Sequence, residues 1–252
     1  MPQTWKVDNL NVTVFENRNL LGDAAAQMAK TYITDAIEQC GRAVVAFSTG
    51  TSQLQFYKAL VKQPIDWSKV EAFHLDAYIG LQEEHPGSFR RYLHERLLDY
   101  VTIAKFHMIK GDADDVYSEC HRLDLLARRR PLDVVFASIG ENGQLAFNES
   151  PAIFDEDTYY KIVELSDASR RQQFGEGWFL HPDDVPRQAI TITISAIIKA
   201  RTVICCVPDL RKAQAVYNTL TQPFSHSFPA TVLRFHTNAH LLLDPHSAAQ
   251  IL

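Results

Sequence analysis

Apolar positions along this chain alternate between two kinds of segment. Leu21, Ala25, Met28, Tyr32 and Ala36 recur at helical spacing and predict a helix over Leu20–Gln39. Short β-branched or apolar runs predict strands at Val12–Phe15, Ala43–Phe47, Val70–His74, Leu132–Ile139, Ala189–Ile194, Thr202–Val207 and Ala239–Leu243. Between them, helical patterns run from Ser52 through Leu60, from Ser88 to about Tyr100, from Asp114 to about Arg128 and over Arg211–Leu220. A short helix joins Ala189–Ile194 to Thr202–Val207, and another is expected after Leu243. Strands that are apolar at nearly every position, separated by helices, predict an α/β fold: a mostly parallel sheet with helices on both faces. The stretch 150–187 shows no clear period and is rich in acidic, aromatic and proline residues. An irregular segment of that length inside one domain, residues 1–252, reads as a lid or binding segment.

Composition narrows the function classes more than the fold. With 252 residues, 46% hydrophobic and 22% charged, the chain is ordinary globular material. A net charge of −5 and scattered lysines and arginines give no electrostatic case for nucleic acid or an anionic membrane. The first residues lack the apolar core of a signal peptide, and no run reaches the roughly 18 apolar residues of a membrane span. A cytoplasmic protein is expected. Cys40, Cys120, Cys205 and Cys206 have no CxxC spacing, and the ten histidines show neither HxH nor HExxH, so no metal site is expected. Cys205 and Cys206 read as small buried hydrophobes, and His74 as a buried strand residue.

Ligands of a parallel α/β sheet bind beyond the carboxyl ends of its strands. Polar clusters follow predicted strands at Ser48–Ser52, His74–Tyr78, Gly140–Glu149 and Pro208–Lys212. The first is a turn of small residues entering a helix, either a simple N-cap or a phosphate cradle, with Lys212 as a second source of positive charge. No GxxxxGK[ST] or GxGxxG is present, which argues against nucleotides. Asp76 follows an apolar strand, so it either caps the next element or is a desolvated base suited to removing a proton beside a carbonyl. Glu149, in an apolar-flanked turn, is the second candidate carboxylate.

The segments Phe73–Leu81 (FHLDAYIGL), Glu84–Ser88 (EHPGS), Gly140–Glu149 (GENGQLAFNE) and Asp183–Thr193 (DDVPRQAITIT) stand in the order seen in one family, along with Thr49–Ser52 and Arg211–Ala213. In these motifs the chain resembles the glucosamine-6-phosphate deaminases, related to the 6-phosphogluconolactonases, over nearly its whole length. The resemblance implies a Rossmann-like sheet, no cofactor, and conversion of glucosamine 6-phosphate to fructose 6-phosphate and ammonia. It implies that Asp76 moves a proton between C2 and C1 and that Glu149 belongs to the ring-opening relay. Thr49, Gly50, Thr51, Ser52 and Lys212 are implied to hold the phosphate. The implied ligand is a small-molecule sugar phosphate, and a homo-oligomer is compatible with the pattern.

Four positions depart from the family pattern. The ring-opening histidine is replaced by Gln144, which cannot take up and pass on a proton at neutral pH, and the aspartate before it by Asn142. The acidic residue after the base is Ala77, and the phosphate arginine before a Phe-Phe pair is Gly177, before Trp178-Phe179. Arg171, or Arg170 beside it, is the expected substitute for that arginine. Catalysis is therefore assigned to Asp76, Glu149, Asn142 and Gln144, with impaired ring opening. A non-catalytic sugar-phosphate sensor is the main alternative. A 6-phosphogluconolactonase-like hydrolase is the lesser one, because AFNES stands where those enzymes carry ASLFP.

Overall fold

The computed structural model describes all 252 residues. In chain order the elements are β1 (Gln3–Val7), β2 (Leu10–Val14), α1 (Arg18–Cys40), β3 (Ala43–Phe47), α2 (Leu54–Leu60), β4 (Val70–His74), β5 (Asp76–Tyr78), α3 (Phe89–Leu93), β6 (Lys105–His107) and α4 (Val116–Ala127). They continue as β7 (Val134–Ala137), β8 (Tyr160–Glu164), α5 (Asp167–Gly175), β9 (Gln188–Ile192), α6 (Ile194–Ile198), β10 (Thr202–Val207), α7 (Ala213–Thr221) and β11 (Ala239–Leu243).

The main sheet has eight strands in the order β1-β2-β11-β10-β7-β3-β4-β6, parallel throughout except for the β1–β2 hairpin. Strands β3, β7 and β10 are buried at every position because both faces are covered. Alternation along β3 divides the core: Ala43, Val45 and Phe47 pack with α1 and α2, while Val44 and Ala46 join the other face with α4, α6 and α7. Helix α1 begins where Asn17 Oδ1 accepts the N–H groups of Asn19 and Leu20, a cap that stabilises by about 1 kcal/mol. From β3 the chain runs to β4 and then β6 on one side, whereas β7, β10 and β11 fill the other. The order therefore reverses between β3 and β7, and a crevice opens there beyond their carboxyl ends.

A second sheet, β5-β9-β8, is antiparallel and stands over that crevice. Its β5 continues almost directly from β4, so the chain crosses between sheets at Leu75. Leu75 N–H donates to Phe47 O in the main sheet, and its carbonyl accepts from Ile192 N–H in the second. The α/β fold class and the mostly parallel sheet agree with the sequence expectation. No helix is long and apolar enough to cross a membrane.

Several expectations need correction. Segment 150–187 is not irregular: it contains β8 and α5. Helix α5 reads Asp-Ala-Ser-Arg-Arg-Gln-Gln-Phe-Gly and has no apolar stripe, so its period is silent in the sequence. The residues after Leu243 form hydrogen-bonded turns rather than a helix. Pro245 and the mutual bonding of Asp244 and Ser247 redirect the backbone there. Strand β1 was absent from the expectation because it is an exposed edge with little apolar content. The helix expected from Ser88 to Tyr100 is a short α3 that widens into a π turn over His94–Leu98.

Candidate active site

The cleft at the β3–β7 crevice is lined by Ser48–Ser52, Asp76, Ser138–Gly140, Gln144, Lys212 and part of α5, and holds about 490 Å³ out to its open mouth. The turn after β3 is fastened from three sides. Tyr57 donates to Ser48 O at 2.7 Å, Tyr92 to Gly50 O at 2.8 Å, and Gln53 Nε2 to Ala137 O at 2.9 Å. Gly50 has φ 98°, a conformation that favours glycine, and it lets the backbone of the turn face the cleft. The Oγ atoms of Ser48 and Ser138 are buried with no hydrogen-bond partner, so each is a free hydroxyl beside this turn.

Lys212 ends a 3₁₀ turn before α7 and is 3% exposed, with no carboxylate within ion-pairing distance. Burial pushes its pKa down, while the negative fields of Glu176 and Glu141 push it back up. A buried, unpaired amine beside free hydroxyls and a glycine turn is a site for an anion.

Asp76 opens β5 opposite Thr191 of β9 and is 6% exposed. No donor reaches its carboxylate. Burial and the nearby negative charge of Glu176 raise its pKa from 3.8 to about 7. A carboxyl poised near neutrality can take up and return a proton at one carbon.

Gln144 is held in one orientation by a short chain of bonds. Its own N–H donates to Asn142 Oδ1 at 3.1 Å, which fixes the Asn142 amide. Asn142 Nδ2 then donates to Gln144 Oε1 at 3.1 Å, and Ser169 Oγ donates to the same oxygen at 2.5 Å. The acceptor end of Gln144 is thereby used, and its amide N–H₂ remains to donate into the cleft. Asn148 secures this loop, donating to Leu145 O and Ile192 O, both at 2.8 Å. Ala146, which lines the cleft, has φ 50°, a strained conformation for a residue with a side chain.

The structure brings Thr49, Gly50, Thr51, Ser52, Asp76, Gln144 and Lys212 together. It places the other three candidates outside the cleft lining. Glu149 turns toward α5 and accepts the Ser166 N–H at 3.1 Å. Asn142 supports Gln144 from behind. Arg171 lies in a neighbouring outer groove with Arg211 and Glu141. His74 is fully buried with both ring nitrogens unpartnered, and burial lowers its pKa to about 3, so it stays neutral. Polar cleft residues not singled out individually from the sequence are Ser138 and three from the α5 segment, Gln172, Gln173 and Glu176. Their one sequence signal is the spacing of the polar residues at 172, 173 and 176, which share one side of a helix once the helix is known.

A family model described as glucosamine-6-phosphate isomerases/6-phosphogluconolactonase matches residues 16–242. The chain belongs to this family. A glucosamine-6-phosphate deaminase of Exiguobacterium sp. (strain ATCC BAA-1283 / AT1b) is 32% identical over 241 residues, covering 96% of this chain and 92% of the relative. A deaminase of the same description from Bacillus cytotoxicus is 32% identical over 235 residues, covering 93% and 87%. The solved structure of a monomeric glucosamine-6-phosphate deaminase superposes with a TM-score of 0.85 at 26% identity, covering 94% of this chain and 98% of that one. A 6-phosphogluconolactonase from Shewanella baltica shares the fold, with a TM-score of 0.77 at 17% identity over 95% of this chain and 100% of that one. Within this isomerase/lactonase family, the chain has the α/β fold, and its cleft lies at the topological switch point that its own strand order creates.

Proposed function

We propose that the chain is an aldose–ketose isomerase and deaminase that converts glucosamine 6-phosphate to fructose 6-phosphate and ammonia, with impaired ring opening. The observation that supports this reading most is the shared cleft of a base with pKa about 7, Asp76, and an anion site made by Thr49–Ser52 and Lys212. On this reading the phosphate rests on the turn and Lys212. The open-chain substrate then lays C1 and C2 along Asp76.

Asp76 takes the C2 proton, leaving an enolate at O1. It returns that proton to C1 while O1 takes a proton from the C2 ammonium, so that a hydroxyl stands at C1 and a protonated imine at C2. Water adds to that carbon and ammonia leaves, so one water is consumed per ammonia released. The Gln144 amide donates to the substrate oxygen at C1 and steadies the enolate. It cannot ferry a proton between the ring oxygen and O1, so the enzyme draws on the scarce open form. Segment 150–187 acts as the lid, since it supplies three residues of the cleft, Gln172 and Gln173 of α5 and Glu176 just after it.

Ammonia release from glucosamine 6-phosphate, measured with fructose 6-phosphate formation, tests the reading, and equal yields of both are expected. Saturable sugar-phosphate binding without ammonia would favour a sensor, a reading that the non-titrating Gln144 supports. Lactone hydrolysis without ammonia would favour the hydrolase.

A further inference from the structure

The seat that phosphate takes on the reading above is already held by an anion of the chain. Glu176, directly after α5, turns its carboxylate into the cleft. Its Oε2 accepts the Thr51 N–H at 3.3 Å and lies 3.3 Å from where a side chain on Gly50 would begin. Its Oε1 accepts from Gln172 Nε2 at 3.2 Å. Two further bonds from the same segment latch it to the other walls: Glu141 N–H donates to Gln172 Oε1 at 2.9 Å, and Tyr78 to Gln173 Oε1 at 2.7 Å. Trp178, two residues on, stands edge-on to Tyr92, whose hydroxyl holds Gly50 O. The segment therefore closes the cleft by placing its own carboxylate against the turn that carries the free hydroxyls and the unpaired Lys212.

We propose that Glu176 is a displaceable internal anion: it occupies the phosphate seat of the unliganded protein and leaves when the phosphate of the substrate enters, so that substrate binding moves the α5 segment. A carboxylate and a phosphate dianion cannot share one Thr51 N–H, and their like charges repel in a cleft with little water to screen them. The field that Glu176 already exerts on Asp76 and Lys212 shows that its charge is felt throughout the cleft. Glu176 also acts as a filter, because a ligand without a strongly charged group gains nothing by expelling it. This inference rests on the phosphate seat assigned under the proposed function.

The experiment is calorimetric titration of the full chain with inorganic phosphate, fructose 6-phosphate and fructose. It compares the unaltered protein with Glu176→Gln, Glu176→Ala and Lys212→Ala, each first shown to unfold cooperatively. If the seat is open in about one molecule in ten, apparent affinity is reduced about tenfold, and removing the carboxylate restores it. Both Glu176 variants should therefore bind phosphate and fructose 6-phosphate about tenfold more tightly, with no change for fructose. Tightening in Glu176→Ala as well excludes a new hydrogen bond from glutamine as the cause. Trp178 fluorescence should change on phosphate binding in the unaltered protein. Unchanged or weaker phosphate binding in both Glu176 variants, with Lys212→Ala still weakening it, overturns the displacement and leaves the phosphate seat standing. No phosphate binding by any form overturns both.

Discussion

Replacing Asp76 with asparagine keeps the side-chain volume and removes the charge, and the structure assigns this one change opposite effects on stability and turnover. Burial favours the neutral acid, so the folded chain binds the Asp76 proton more tightly than the unfolded chain does. Between pH 3.8 and about 7 the folded state keeps a proton that the unfolded state has lost, and stability falls as pH rises through that window. At pH 8 the whole penalty is present. A rise of about three pKa units at about 1.4 kcal/mol each sets its ceiling at about 4 kcal/mol, and cleft water lowers it. Asparagine carries no such penalty. For a chain near this size each kcal/mol moves Tm by about 2–4 °C, so Asp76→Asn should raise Tm by several degrees at pH 8 and by under half as much at pH 5. The same variant should lose turnover, since it cannot accept the C2 proton. In the unaltered protein kcat/KM should rise about tenfold per pH unit below pH 7 and level off above it. Thermal unfolding at the two pH values and deuterium exchange at C1 of fructose 6-phosphate read both effects. Equal Tm shifts at pH 5 and pH 8 would show that Asp76 is not held protonated by the fold, and unchanged exchange in the variant would remove it as the base.

Gln144→His places a titrating ring where the amide donates, and ammonia release should rise toward the factor of about 10²–10⁴ that general acid–base groups supply, with a new dependence on pH near 6.5. Asn142→Asp combined with Gln144→His should rise further, because a carboxylate at 142 would stabilise the charged ring; a kcat–pH profile of both variants checks this. Gly111→Ala drives a methyl group into the Tyr78 carbonyl, in the strand that carries Asp76. It should destabilise the fold by about 3 kcal/mol and depress activity with it, which urea unfolding and the ammonia assay would measure together.

Apart from the three-residue β6, the parallel strands were legible in the chain itself. Ala43–Phe47, Val134–Ala137 and Thr202–Val207 are apolar at nearly every position because helices cover both faces, and that burial leaves a continuous apolar run in the sequence. Position after a strand likewise marked Ser48–Ser52, Asp76 and Lys212, since ligands of such sheets gather beyond the strand ends. Helix α5 was not legible. Its residues face the cleft and solvent more than the core, so no apolar period announced it, and Gln172, Gln173 and Glu176 went unmarked with it. Glu149 lies within the Gly140–Glu149 motif and Arg171 was the expected substitute for the phosphate arginine, yet the fold turns one toward Ser166 and the other into the outer groove. Sequence pattern records which positions are buried, one element at a time. Which polar groups meet in a cleft depends on how elements far apart in the chain are packed. Here that packing was decided by the second sheet and the α5 segment folding back over the β3–β7 crevice, which put Glu176 beside Thr51.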